Sequence, residues 1–215
     1  MATAIDHRPA HRYRARPVFG ALRLRRPAAQ HTRPESELLR AHAWEADTLV
    51  ELGVAEGGSA MELREVMAPG ATLHLVDPYA RGRLGVSLEL LVARRAVGSV
   101  DNGHVRWWRA SSFDAAARWT DPIDFLFIDA DHSFESVSRD WAEWTPCVRP
   151  GGHVALHDAR VFPGGWTDES SGPVRLVAGL GDDPRWRLAG HADSLVMLRR
   201  VDNREPRQPA SSDAR

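Results

Sequence analysis

The stretch Val50-Glu-Leu-Gly-Val-Ala-Glu-Gly-Gly-Ser59 decides how the rest of the chain is read. It continues a short apolar run, Thr48-Leu-Val-Glu-Leu52, whose composition is that of a buried strand. Gly53 and Gly57 then let the backbone turn tightly and come close to a ligand, which a Cβ would prevent. A helix opening near Ser59 would aim its free N–H groups at that ligand. Strand, cradle and helix together are the unit from which cofactor-binding α/β sheets are built.

Outward from this unit the alternation repeats. A short helix over residues 34–42 comes first, with proline in its first turn and carboxylates near the positive end of its dipole. Residues 59–67 form the next helix, stopped by Pro69-Gly70. Strands are predicted at 72–77, 104–109, 124–129 and 152–158, with helices over 87–97 and 134–147. Pro150-Gly151-Gly152 is read as ending the second of these helical segments. A helix at 174–180 and two strands, 186–189 and 194–198, complete the pattern, the strands joined by a tight turn containing Gly190. The expected fold is α/β: a Rossmann-like, doubly wound, mostly parallel sheet with helices on both faces and an antiparallel pair at or near one edge. Residues 1–33 read as a basic irregular arm, 34–201 as one folded domain, and 202–215 as a disordered polar tail.

Composition narrows the setting. At 215 residues the chain is the size of one such domain with modest extensions. Its single cysteine, Cys147, excludes an internal disulfide and suits a reducing cytoplasm, the expected location. No apolar stretch reaches the roughly 20 residues of a membrane span, and the arginine-rich start lacks the apolar block of a secretory signal. The net charge of -1 gives no global attraction to nucleic acid. Yet Arg8, Arg12, Arg14, Arg16, Arg23, Arg25, Arg26 and Arg33 face one early carboxylate, Asp6. Such an arm could bind phosphate backbones; a flexible or subunit-contacting arm is the preferred reading, and the latter would allow a homodimer. The chain has no lysine, so no lysine can act as a catalytic base.

In a doubly wound sheet, ligands bind beyond the carboxyl ends of the strands. The loops after Leu52, Val76, Ile128 and Leu156 therefore matter. Asp77, ending the second strand, is placed to accept hydrogen bonds from ribose hydroxyls. A nicotinamide dehydrogenase would use the same acidic position but usually shows G-x-G-x-x-G. Here Val54, Ala55 and Glu56 follow Gly53, and Glu56 would repel a pyrophosphate. A phosphate-free sulfonium cofactor fits better.

Glu51-x-Gly53-x-x-x-Gly57, Asp77, Ile128-Asp-Ala-Asp-His132 and Arg149-Pro-Gly-Gly152 resemble the motif series of class I S-adenosylmethionine-dependent methyltransferases. The similarity runs from about Pro34 to Leu198, and its order and spacing resemble the small O-methyltransferase branch. Actinobacterial enzymes acting on sugars and secondary metabolites are closer still, with their Asp-x-Asp-His-Ser-(Tyr/Phe)-Glu and His-Asp signatures. The resemblance implies a seven-stranded sheet with the last strand inserted antiparallel. It also implies S-adenosylmethionine at Glu51, Gly53, Ala55, Gly57, Ser59, Asp77 and Asp129, with Ser111, Ser112 and Phe113 near the adenine.

Methyl transfer is an in-line displacement, and a hydroxyl acceptor must also lose its proton. Asp129, Asp131, His132, His157 and Asp158 all fall at strand ends and should converge. In metal-dependent O-methyltransferases, the positions of Asp129 and Asp158 hold Mg²⁺. The match is incomplete: Ala159 stands where the catechol-type enzymes place an asparagine, leaving His157, Asp131 or water as third ligand. An imidazole in the set would favour Mn²⁺ or Zn²⁺ over Mg²⁺. His132 occupies the place of the catechol-type catalytic lysine and is the first choice as general base, with His157 next. His74, His104 and His153 read as structural.

Trp107, Trp108, Trp141, Trp144 and Trp166 could frame an acceptor, although Trp141 and Trp144 sit at helical spacing and read as core. The glycine-rich segment 162–172, which contains Trp166, is the better candidate for a lid. The expected activity is O-methylation of a small hydroxylated acceptor, foremost a sugar or oligosaccharide of the methylmannose type. The alternatives are a phenolic or natural-product acceptor, RNA reached through the arginine arm, and a non-catalytic binding protein. Base-amino methylation is disfavoured, because Asp129-Ala-Asp-His132 replaces the Asn/Asp-Pro-Pro-Tyr that holds a flipped-out base.

Overall fold

A computed structural model describes residues 6–7, 27–80, 86–181 and 183–201. Its main sheet has seven strands: β1 (Thr48–Leu52), β2 (Thr72–Val76), β3 (His104–Trp108), β4 (Ile123–Ile128), β5 (Val148–Leu156), β6 (Trp186–Ala192) and β7 (Leu195–Arg200). Their order is β3-β2-β1-β4-β5-β7-β6, parallel except that β7 runs antiparallel to both β5 and β6. This is the doubly wound sheet with an inserted antiparallel strand that the sequence leads one to expect. Strand order reverses at β1, which puts the glycine loop at the topological switch point.

Among the described residues six helices flank the sheet: α1 (Arg33–Ala43), α2 (Gly58–Val66), α3 (Leu88–Gly98), α4 (Ser112–Ala116), α5 (Phe134–Trp144) and α6 (Gly172–Gly179). Strand alternation decides which core each residue joins. Leu49, Leu73, Phe125 and Phe127 pack under α1, α2 and α3, whereas Val50, Leu52, Leu126 and Ile128 pack with α5 and α6. Trp141 and Trp144 belong to the second core, as their spacing predicts. β4 is buried along its whole length, as a central parallel strand should be.

Register fixes the site. Leu52 lies beside Val76 on one side and Ile128 on the other, so β1, β2 and β4 end level. The ladder then continues into the loops: Gly53 N–H donates to the Val76 carbonyl, Asp77 to Trp108, Asp129 to Leu52 and His157 to Ile128, at 2.9–3.1 Å. Gly53, Asp77, Asp129 and His157 are thus aligned as neighbours before any side chain is considered.

Four boundaries differ from the sequence reading. The Pro150-Gly151-Gly152 run lies inside β5, while the preceding helix gives way to a 3-10 turn over Thr145–Cys147. A Cβ at Gly152 would stand 3.0 Å from the Asp124 carbonyl, so the glycine permits close approach of two strands instead of ending a helix. Gly190 lies within β6 at a register shift, and the hairpin turn is made by Asp193-Ser194. α4 is a short helix with no counterpart in the sequence reading. The arm's last residues are packed on the domain: Ala29 and His31 are buried, and His31 Nε2 lies 3.0 Å from Glu62 Oε2 on α2. Ala28–Ala29 also pairs in parallel with Asp6–His7. Most arginines of the arm, Arg8 to Arg26, and the tail 202–215 lie outside the described residues. No helix among the described residues is long and apolar enough to cross a membrane.

Candidate active site

The loops at the carboxyl edge enclose a cavity of about 490 Å³. Gly53, Val54, Ala55 and Ser59 line it from the first β–α unit, Asp77 and Pro78 from the end of β2, and Ser111, Ser112 and Phe113 from the end of β3. Asp129, Ala130, Asp131 and His132 follow from β4, with Ser136 and Asp140 from α5 and Gln30 from the N-terminal side. Seven of the nine predicted cofactor residues therefore share one cavity: Gly53, Ala55, Ser59, Asp77, Ser112, Phe113 and Asp129.

Glu51 and Gly57 do not line it. Glu51 is buried beneath the loop, where its carboxylate accepts the Ser59 hydroxyl, and burial holds its pKa well above the ordinary carboxylate value. Gly57 caps α2 at φ +79°, where a Cβ would stand 3.1 Å from Val97 and 3.2 Å from the Ala93 backbone on α3. Its part is to let two helices pack. Gly53 is needed more directly: at φ +82°, a Cβ would stand 2.1 Å from the Asp129 carbonyl oxygen. Glu56, read as facing a ligand, is instead buried and absent from the cavity wall.

Asp77 holds the loop as well as facing the cavity. Its Oδ2 accepts from Val54 N (3.0 Å) and Ala55 N (3.2 Å), and Oδ1 from Tyr79 N (2.7 Å). A carboxylate has about four acceptor sites, so these bonds still leave capacity for a ribose hydroxyl.

At the other end of the cavity the predicted acid and histidine residues meet. His132 Nε2 lies 3.0 Å from Asp158 Oδ2 and 3.5 Å from Asp129 Oδ1. His157 Nδ1 lies 3.1 Å from Asp129 Oδ1 and 3.2 Å from Asp158 Oδ2, while its Nε2 faces Glu35 Oε2 at 3.5 Å. Burial by itself would lower both imidazole pKa values. The carboxylates outweigh it, lifting His132 to about 9 and His157 well above its ordinary value. Conversely, burial disfavours the carboxylate charges, yet the imidazoles hold Asp129 and Asp158 below their ordinary range. Asp158 has φ +53°, a strain of about 1–3 kcal/mol for a residue of this kind. His157 is buried and does not line the cavity; His132 does.

One ligand atom from each of Asp129, His132, His157 and Asp158 lies within 4.8 Å of the others. His132 Nε2 and Asp158 Oδ2 are buried without a hydrogen-bond partner despite their 3.0 Å separation. Separations of 3.0–3.5 Å suit ligand atoms held about 2 Å from one centre, so the cluster fits a divalent cation. Two imidazoles beside two carboxylates suit Mn²⁺ or Zn²⁺ better than Mg²⁺. Asp131 instead accepts from Ser133 N and Ser136 Oγ at the start of α5, which Ser133 caps, and these bonds lower its pKa.

Three contributors were not legible as site residues. Glu35, read only as a helix-start carboxylate, accepts from Thr32 N in a capping box and from Ser194 N and Oγ, and backs His157. Burial opposes its charge, but His157, Ser194 and Thr32 bring its pKa down to about 2. The capping-box spacing is visible in Thr32-Arg-Pro-Glu35; its distant partners are not. Asp140 and Gln30 carry no local signal at all. Of the aromatic candidates, only Trp166 approaches the chemistry, its ring 5.7 Å from that of His132 at 80°. Trp107 and Trp108 instead contact Tyr79 and His74. His74 accepts from Trp108 Nε1 (3.1 Å), and burial brings its pKa down to about 4, as befits a structural histidine.

A switch-point glycine loop, an acidic residue ending β2 and a polar cavity at the carboxyl edge define a nucleoside-cofactor enzyme of the doubly wound class. Residues 50–159, just over half the chain, match the family model described as Methyltransferase domain. The chain belongs to that family and is a class I S-adenosylmethionine-dependent methyltransferase. Solved structures share the fold at low identity. Cofactor-bound Rv0187 from MTB is 16% identical with a TM-score of 0.65, over 87% of this chain and 88% of that one. The O-methyltransferase TomG from Streptomyces achromogenes, involved in tomaymycin synthesis and solved with S-adenosylmethionine, is 15% identical with a TM-score of 0.62, over 86% and 88%. An rRNA methylase from Streptococcus thermophilus is 12% identical with a TM-score of 0.55, over 81% and 100%.

Proposed function

We propose that the protein moves the methyl group of S-adenosylmethionine to a hydroxyl of a small acceptor, with His132 as general base. The observation that carries this is the position of His132: it lines the cofactor cavity, is backed by Asp129 and Asp158, and has the exposed Trp166 ring 5.7 Å away. An acceptor seated between Trp166 and the cavity would put its hydroxyl beside the His132 ring, whose Nδ1 is the nitrogen not turned to the two carboxylates. The base takes the hydroxyl proton as the oxygen attacks the sulfonium methyl, and Asp129 and Asp158 stabilise the imidazolium that forms. His157, clamped by Glu35, keeps both carboxylates in place.

Asp129 and Asp158, with His157 as the third ligand, would hold a divalent cation. Such an ion would supply positive charge that lowers the pKa of an acceptor hydroxyl and offsets the two carboxylates. TomG is an O-methyltransferase, which supports hydroxyl transfer on the same fold.

For the acceptor we favour a sugar or oligosaccharide, because Trp166 offers an exposed aromatic face beside the base. A phenolic acceptor is the second reading, because the same exposed Trp166 ring beside His132 could stack on an aromatic acceptor. A methyl-donor turnover screen over sugar, phenol and RNA acceptors, with chelator and with Mn²⁺ or Mg²⁺, tests all of this. Turnover only on RNA would overturn the proposal.

A further inference from the structure

One buried group in the cavity has no part in the chemistry just described. Asp140, on α5, has no exposed surface, yet lines the cofactor cavity. Neither of its carboxylate oxygens is in hydrogen-bond geometry with a donor among the described residues, although the Ser112 hydroxyl stands near enough to favour its charge. The adjacent cation is engaged elsewhere: Arg139 pairs with Glu143 at 2.7 Å and its guanidinium lies 3.9 Å from the centre of the Phe113 ring. Buried carboxylates without donors are costly and rare, and they persist where a ligand completes them.

Strand order tells which part of the ligand that is. Along the carboxyl edge the sequence of loops is Ser111–Phe113, then Asp77, then Gly53, then Asp129–His132. The sulfonium belongs at the His132 end and the ribose near Asp77, so the base falls at the Ser111–Phe113 end. Because α4 packs on α5, Asp140 stands at that same end, beside Ser112. Ser111 and Ser112 themselves carry no charge. Asp114, the carboxylate of α4, accepts from the Ser111 hydroxyl and does not line the cavity. The carboxylate that faces the base therefore comes from the neighbouring helix.

We propose that Asp140 reads the base of the cofactor, accepting a hydrogen bond from the exocyclic amino group of adenine. Adenine presents that N–H₂ donor on its Watson–Crick edge, whereas a 6-oxo purine would present an acceptor and be repelled. The proposal rests on the cofactor being S-adenosylmethionine, and is independent of the acceptor and of any metal.

The test is calorimetric binding of S-adenosylhomocysteine and its 6-deamino (purine riboside) analogue to the wild-type protein and to Asp140→Ala. A hydrogen bond to a charged acceptor corresponds to about a tenfold to hundredfold preference for the amino compound in the wild type. In Asp140→Ala, the amino compound should weaken by that factor while the deamino analogue is unchanged. Turnover should show a raised KM for S-adenosylmethionine with kcat preserved, because the contact lies away from the reacting atoms. Equal affinity of the two ligands for the wild-type protein would overturn the proposal without any variant having to fold. Equal weakening of both ligands in Asp140→Ala would also overturn it, assigning Asp140 a structural role only.

Discussion

His132 Nε2 and Asp158 Oδ2 stand 3.0 Å apart, both buried, and neither is in hydrogen-bond geometry with the other. The pair is held from behind by His157, which faces both Asp129 and Asp158, and His157 is held in turn by Glu35. The arrangement leaves one imidazole, that of His132, at the cavity and the other in the interior. Position thus separates the two histidines that the sequence offered together as bases.

Replacing the base should cost turnover and leave the cofactor in place. His132→Ala should lower kcat by about 10²–10⁴-fold, the usual contribution of general-base catalysis. Affinity for S-adenosylhomocysteine should stay within about threefold, since the variant removes an interaction used in the transition state. Calorimetry beside a turnover assay checks both, and wild-type turnover in the variant would sink the assignment.

The same imidazole should make the stability of the metal-free protein depend on pH. Its folded-state pKa is raised to about 9 from 6.5, so its protonated form stabilises the fold fully below pH 6.5. That contribution is lost as pH rises through about 9, and His157 acts in the same direction. Asp129 and Asp158 are depressed, so their contribution is present above the ordinary carboxylate range and lost on acidification. Melting temperature should therefore fall from about pH 6.5 to about 9, and fall less steeply in His132→Ala. Identical slopes in the two proteins would contradict the coupling.

Much of this is legible along the chain. β1, β2 and β4 announce themselves as apolar runs, and their level ends follow from parallel register, so the cluster at Asp129, His132, His157 and Asp158 can be anticipated. What is not legible depends on distance in sequence. Glu35 meets Ser194 across 159 positions, and nothing near either residue signals the other. α4, over Ser112–Ala116, is too short for a helical period to show. The glycines of β5 and β6 read as punctuation in the sequence. Gly152 is in fact required by the backbone of Asp124, which only the folded sheet brings near.

A divalent cation on Asp129, His157 and Asp158 predicts a defined response to chelation. Activity should collapse in excess chelator and return with Mn²⁺, more fully than with Mg²⁺ because an imidazole is in the set. His157→Ala should weaken Mn²⁺ binding, measured by calorimetry, by at least about tenfold, the lower end of what loss of a coordinating or supporting group costs. Full activity in chelator would rule the cation out and leave His132 with its two carboxylates as the whole of the acid–base apparatus.

The last prediction separates a glycine that fits from one that merely turns. Gly53 and Gly70 share a left-handed backbone, at φ +82° and +88°. A Cβ at Gly70 meets nothing within 4 Å, whereas at Gly53 it would lie 2.1 Å from the Asp129 carbonyl oxygen. Gly70→Ala should therefore show the conformational cost alone, about 1–2 kcal/mol. Gly53→Ala adds a steric cost of about 1–3 kcal/mol, as the β1 and β4 ends are forced apart. Because those ends carry the cofactor loop and Asp129, only the Gly53 variant should also lose S-adenosylhomocysteine binding. Urea denaturation and calorimetry on both variants provide the comparison, and equal losses at the two positions would show that the contact between Gly53 and Asp129 does not set the cavity.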